Sequence, residues 1–124
     1  MTGPPSTEEG LAQVRARCEA LPEVTARGGQ HTAFTVRGRT FAYHLVDHHG
    51  DGRVALECKA APGDNEALIA SDPDRFFMPS YVGPKGWVGL WLDVGPVDWD
   101  EVTELVTDSY RLIAPKTLVA KLPD

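Results

Sequence analysis

Tyr81, Lys85, Trp87 and Trp91 crowd into one short stretch, and their types suit binding better than bond-making. An ammonium group on a loop holds a phosphate or carboxylate as a point charge. Aromatic rings stack on a nucleobase for about 1–3 kcal/mol each. If Trp87 to Val94 is a strand, Trp87, Gly89, Trp91 and Asp93 share one face, and Val88, Leu90, Leu92 and Val94 share the other. The aliphatic face is the core face. On the opposite face Gly89 has no side chain, which leaves space for a flat group between the two indoles. The competing reading is that helices or an extended loop already cover those rings, because tryptophan is usually well buried. For Lys85 the competing reading is a solvated loop lysine. Tyr81 either stacks on a ligand or caps the edge of the core.

A second set of candidates lies in the first half. A three-strand meander would carry His31, Arg37, His44, Arg53 and Lys59 on a wet face, with Glu57 the only acid among those positions. Arg37, Arg39 and Arg53 are the candidate phosphate contacts, and Arg15 and Arg17 could extend the patch. Phe41, Tyr43 and Leu45 alternate together and are read as pointing inward, so basic and aromatic residues do not interleave there. The plain alternative is an ordinary charged sheet face. The formal charge is −6 and unevenly placed. Residues 1–62 hold seven basic and seven acidic side chains, whereas residues 63–124 hold five and eleven. An acidic chain is a poor default nucleic-acid binder, since phosphate neutralisation supplies most non-specific affinity.

Other chemistries find little support. Asp47-His48-His49-Gly50-Asp51 has none of the usual metal-ligand spacings and reads as a solvated hairpin tip. No nucleophile elbow, phosphate loop or dinucleotide fingerprint occurs. Ser80 and Ser109 have no histidine near them in sequence. Asp98, Asp100, Glu101 and Glu104 suit a helix N-terminus better than catalysis. Cys18 and Cys58 are read as reduced core residues. No catalytic residue, metal or cofactor is therefore assigned.

The elements that must position these residues follow from periodicity. Residues 1–6 read as a flexible leader and 7–124 as a single domain. Thr7 to Leu21 reads as a helix with Thr7 as N-cap, no capping box, and a stripe of Leu11, Val14, Cys18 and Leu21. Thr32–Val36, Arg39–Val46 and Arg53–Lys59 read as strands, the last two joined by an Asp-Gly hairpin turn. A short helix spans about Asn65 to Ala70. Phe76-Phe77-Met78 reads as a short strand, and Trp87–Val94 as a firm one. Asp98 caps a long helix bearing Val102, Leu105, Val106, Ser109 and Ile113, and Pro115 opens a last one to Leu122. The fold class is α+β: an antiparallel β-sheet with helices packed on one face.

Phe76 through Leu92, the helix ending in Ser109-Tyr110, and the Pro115–Leu122 tail together resemble the MmcQ/YjbR-like family. The likeness runs from about Leu11 to Leu122, and its most specific pieces are Pro79-x-Tyr81, Lys85-x-Trp87, and Ser109-Tyr110 with Lys116 beyond. Many members carry Met-Asn where this chain has Gly83-Pro84. The resemblance implies a CyaY-like fold and a "double-wing" DNA-binding role. Tyr81, Lys85 and Trp87 would form the contact loop on double-stranded DNA. The alternative is a binding module for a small anionic ligand or a protein partner, built on the Tyr81–Trp91 loop and strand. The chain is expected to be monomeric, cytoplasmic and free of membrane contact, with no signal peptide.

Overall fold

The computed structural model describes residues 3–123. Met1 and Thr2 of the expected leader, and Asp124, lie outside the described residues. The first helix, α1, spans Thr7–Glu19. Its N-cap is Ser6, one residue before the expected cap. The Ser6 hydroxyl accepts from the Glu9 amide at 3.1 Å, and the Glu9 carboxylate accepts from the Ser6 amide at 3.0 Å. A capping box is therefore present. Starting the count at Thr7 places Gly10 at the third position and hides the box.

Six strands follow: β1 (Val24–Arg27), β2 (Thr32–Val36), β3 (Arg39–Val46), β4 (Val54–Lys59), β5 (Phe76–Phe77) and β6 (Trp87–Trp91). They form one sheet in the order β1-β2-β3-β4-β6-β5, antiparallel at every pairing. The sequence gives no clear signal for β1. It is a four-residue edge strand, only half-buried, and too short for alternation to stand out. Between β3 and β4 lies a wider connection than a two-residue hairpin, with Asp47, His49, Gly50 and Gly52 all at positive φ.

Helices α2 (Asp64–Ser71), α3 (Trp99–Ile113) and α4 (Lys116–Val119) join α1 on one side of the sheet. On that helix side β2, β3, β4 and β6 present Phe34, Ala42, Leu56, Cys58, Val88 and Leu90, all buried. Val102, Val106 and Tyr110 of α3 close over them. The Ser109 hydroxyl lies 2.5 Å from the Lys59 carbonyl of β4, and the Tyr110 hydroxyl donates to the Pro22 carbonyl at 2.8 Å. The Ser-Tyr pair thus fastens α3 to the sheet and to the end of α1.

One irregularity sets which residues reach the open side. Phe34 pairs with Ala42, but Thr35 pairs with Thr40, so Phe41 is an extra residue in β3. The bulge lets Phe41 join Ala42 on the helix side, where its ring meets Tyr110 edge-on at 5.7 Å. Phe41, Tyr43 and Leu45 therefore do not point the same way. Tyr43 and Leu45 face the open side, and His44 faces the helix side at 0% exposure. The expected wet face loses two members by this geometry: His44 is core, and Arg37 lies in the β2–β3 turn at φ 50°.

Candidate functional site

The open side of the sheet is where the candidates can meet. The Trp87–Gly89–Trp91 face does lie there, but the space at Gly89 is filled from within the chain. A Cβ on Gly89 would stand 2.1 Å from the Phe77 ring, so Phe77 occupies the gap that a flat ligand was expected to use. Phe77 stacks on Trp91 with centroids 3.9 Å apart and planes 20° apart. The Arg53 guanidinium covers Trp91 at 3.8 Å from its centroid. Trp87 is buried against Tyr43 at 5.6 Å. The covering is thus local, by a strand neighbour and a cross-strand ring.

The arginines are occupied. Arg53 makes two 3.0 Å hydrogen bonds to Asp93, whose carboxylate also accepts from the Val54 amide at 2.9 Å. Arg37 makes two to Glu23, at 2.6 and 3.0 Å. Arg39 donates to the Ile113 carbonyl at the end of α3, at 3.4 Å. Register puts Lys59 and Trp87 side by side at one end of the sheet, and Ala55 and Trp91 at the other. Arg53 and Trp91 are therefore brought together, while Arg37 and Arg39 belong to the far end of the meander.

Lys85 and Tyr81 sit on the loop between β5 and β6. Tyr81 is 82% exposed and holds φ at 65°. Lys85 is exposed, and its backbone carbonyl accepts from the Lys59 ammonium. Lys59 and Lys85 share the rim of an open cleft of about 500 Å³, with Asn65 and Glu66 on its other wall. The loop is pinned by Asn65, a residue that reads in sequence only as helix-start polarity. Its amide donates to the carbonyls of Gly83 at 3.3 Å and Trp87 at 3.1 Å, and the side chain is 5% exposed. Asn65→Ala leaves the buried Trp87 carbonyl without its Asn65 donor, while the Gly83 carbonyl keeps the Gly86 amide at 2.9 Å, and is expected to cost about 1–3 kcal/mol in urea unfolding. It should also raise hydrogen exchange at residues 82–87, whereas a purely local effect would leave those amides unchanged.

The residue that sequence reasoning undervalued is Glu57. It lies on the open side between Tyr43 of β3 and Gly89 of β6, and it is only 8% exposed. Burial pushes its carboxyl up to about 7. The nearby groups are engaged elsewhere. Arg53 is held by Asp93, Lys59 by the Lys85 carbonyl, and His31 accepts from the Val46 amide at 3.2 Å through Nδ1. Glu57 lines two adjoining hollows of about 160 and 270 Å³, which also share Leu45, His48 and Ser80. The first ends at Trp91 and Arg53, and the second at Tyr43 and Tyr81. Together they make one groove across the open side. The available signal in sequence is a lone acid alternating within an otherwise apolar or basic strand face.

Among the described residues, no group of three or more His, Cys, Asp or Glu is arranged to hold a metal ion. The His48 and His49 rings lie 3.9 Å apart at the groove's edge. Cys18 and Cys58 are free and buried, and burial pushes Cys58 up to about 11. Neither thiol faces the groove. No helix among the described residues is long and apolar enough to cross a membrane.

The comparisons with known proteins fall on this same frame. A Deinococcus radiodurans protein carrying the DUF419 domain has a solved structure that superposes with a TM-score of 0.70. The identity is 24%, over 86% of this chain and 80% of that one, so the likeness speaks for the fold. No curated protein matches the chain. The YjbR family model matches residues 19–112, which takes in every strand of the sheet and nearly all of α3. That span is well over half of the chain, and the protein belongs to the YjbR family.

Proposed function

We propose that this chain is a non-catalytic binding protein whose ligand is a small molecule seated in the open-side groove. The observation that carries this reading is Glu57, a mostly buried side chain whose carboxyl lines the groove and makes no hydrogen bond or ion pair among the described residues. A carboxyl in a cleft whose value is raised by burial and that has no protein partner is a candidate ligand contact. The groove also has the usual make-up of a ligand site: an apolar floor of Leu45, Ala55 and Phe77 with a few polar groups. Amide-resolved NMR titration with a mixed library of small polar compounds tests it. Shifts clustered at Tyr43, Leu45, Glu57 and Ser80 are expected. Shifts confined to other surfaces, or none, would sink the reading.

A second reading, double-stranded DNA, is favoured by Lys85 and Lys59 on the rim of one cleft, with the exposed Tyr81 on the same loop as Lys85. The same rim suits a small anionic ligand. Against DNA stands the state of the arginines: Arg37 and Arg53 would each have to leave a two-bond carboxylate partner to reach phosphate. Anisotropy of a labelled duplex decides this second reading. DNA binding requires affinity at about 50 mM salt that falls with a log–log slope of roughly 0.9 per neutralised phosphate. No binding at low salt, or binding indifferent to salt, removes it.

A further inference from the structure

Resting on the groove reading, we propose that the natural ligand is a small organic cation, an amidinium, guanidinium or amine attached to a flat apolar body. The charged end would meet Glu57, and the flat body would lie along Tyr43 and Leu45 beneath Tyr81.

Four observations converge on that chemistry. Glu57, an acid that lines both hollows of the groove, is set between Tyr43 and Gly89 on neighbouring strands. The positive groups nearest in the fold do not answer it: Arg53 is paired with Asp93, and Lys59 lines the separate cleft with Lys85 and not this groove. A second acid, Asp51, lines the same groove. An anion entering here would meet the like charges of Glu57 and Asp51, with Arg53 already paired to Asp93. A cation meets the reverse situation, because a charge-assisted hydrogen bond to a carboxylate is about twice as strong as a neutral one. The ring system around the acid supplies the rest. Tyr43, half-buried and packed on Trp87, lines the groove, and the exposed Tyr81 lines it too. Phenol faces attract cations and flat rings alike. Ligand entry would also remove the energetic burden of the bare acid, which gives the unpaired carboxyl a reason to be there.

The test uses three probes of one shape and different charge: benzamidine, benzamide and benzoate. Each is titrated into the full chain at pH 8, above the raised Glu57 value and above the ordinary imidazole range. Amide shifts are followed at Tyr43, Leu45, Ala55 and Glu57. Benzamidine is expected to bind about tenfold or more tightly than benzamide, as a charged hydrogen bond predicts, with benzoate weakest. In Glu57→Gln the preference of benzamidine over benzamide should disappear while the fold, read by the amide spectrum, stays intact. Benzoate or benzamide binding in the groove as well as benzamidine does overturns the cation assignment and leaves the groove reading standing. Failure of all three probes to shift the groove amides overturns the cation assignment. If the mixed library also leaves those amides unmoved, the groove reading falls with it.

Discussion

Glu57→Gln is expected to make the folded chain more stable by about 1–2 kcal/mol at pH 8 and to change nothing at pH 4. The carboxyl titrates near 4.5 when exposed and near 7 in the fold, pushed up by burial. Its folded value is raised, so its contribution is fully present below pH 4.5 and is lost as pH rises through 7. At pH 8 the fold must hold an ionised, poorly solvated carboxylate. The full shift would convert to more than this figure, but a groove-lining group keeps some solvent screening, and the value is discounted accordingly. Glutamine keeps the shape and removes the charge. Urea unfolding at the two pH values is the measurement. A loss of stability at pH 8, or an equal change at both pH values, would show that the carboxylate is satisfied by the protein itself. Gain of stability on neutralising a residue is the mark of a group kept for binding rather than for folding.

His44 gives the second large effect, and its sign is opposite. Both ring nitrogens are buried without a hydrogen-bond partner. Burial, aided by the nearby His31, lowers the imidazole from 6.5 to about 4. A depressed folded value means that stability is complete above pH 6.5 and is lost as pH falls through 4. In a Glu57→Gln background, moving from pH 7.5 to 4.5 is expected to cost about 2–3 kcal/mol through this residue. Adding His44→Leu should abolish most of that loss, since leucine suits a buried place beside Leu56 and has nothing to protonate. The wild-type chain should show a flatter acid profile than Glu57→Gln, because the two slopes oppose each other between about pH 4.5 and 6.5. A wild-type and His44→Leu pair with parallel acid curves would overturn the assignment.

His44 and Glu57 also show where the sequence can be read and where it cannot. Long periodic segments are legible because one physical signal repeats: the α3 stripe of Val102, Val106 and Ser109, and the Val88–Leu90–Leu92 face, land in the core as alternation requires. Only the inserted residue Phe41 defeats the same reasoning in β3. Alternation counted back from Leu45 through Tyr43 assigns Phe41 to their face, and it also sends His44 to the solvent. A single residue of extra length is invisible to a period-two pattern, although its consequence reaches every side chain before it. The site suffers from a different limit. That Gly89 makes room is readable, but that Phe77 fills the room depends on β5 pairing with β6 across a nine-residue loop. The pairings of Arg37 with Glu23 and Arg53 with Asp93 are likewise tertiary, and they turn a basic patch on paper into neutralised pairs. The family likeness marks Tyr81–Trp87 and Ser109-Tyr110. In the fold these become a pinned loop and a helix fastening, and the groove's buried acid lies outside both.

The bulge at Phe41 has a consequence for how this chain can vary in length. β3 carries one residue more than β2 requires, and that residue sits between the Thr40 and Ala42 pairings. Removing it would restore a regular ladder and slide residues 37–40 by one place relative to the rest of the strand. Thr40 would stay opposite Thr35, but the Phe41 ring would vanish from its seat on Tyr110 and leave a cavity under α3. Deletions of one residue are therefore far more damaging here than in the wide β3–β4 connection, where Gly50 and Gly52 meet nothing within reach of an added Cβ. Homologues should differ in length at that connection and keep the count constant through β3.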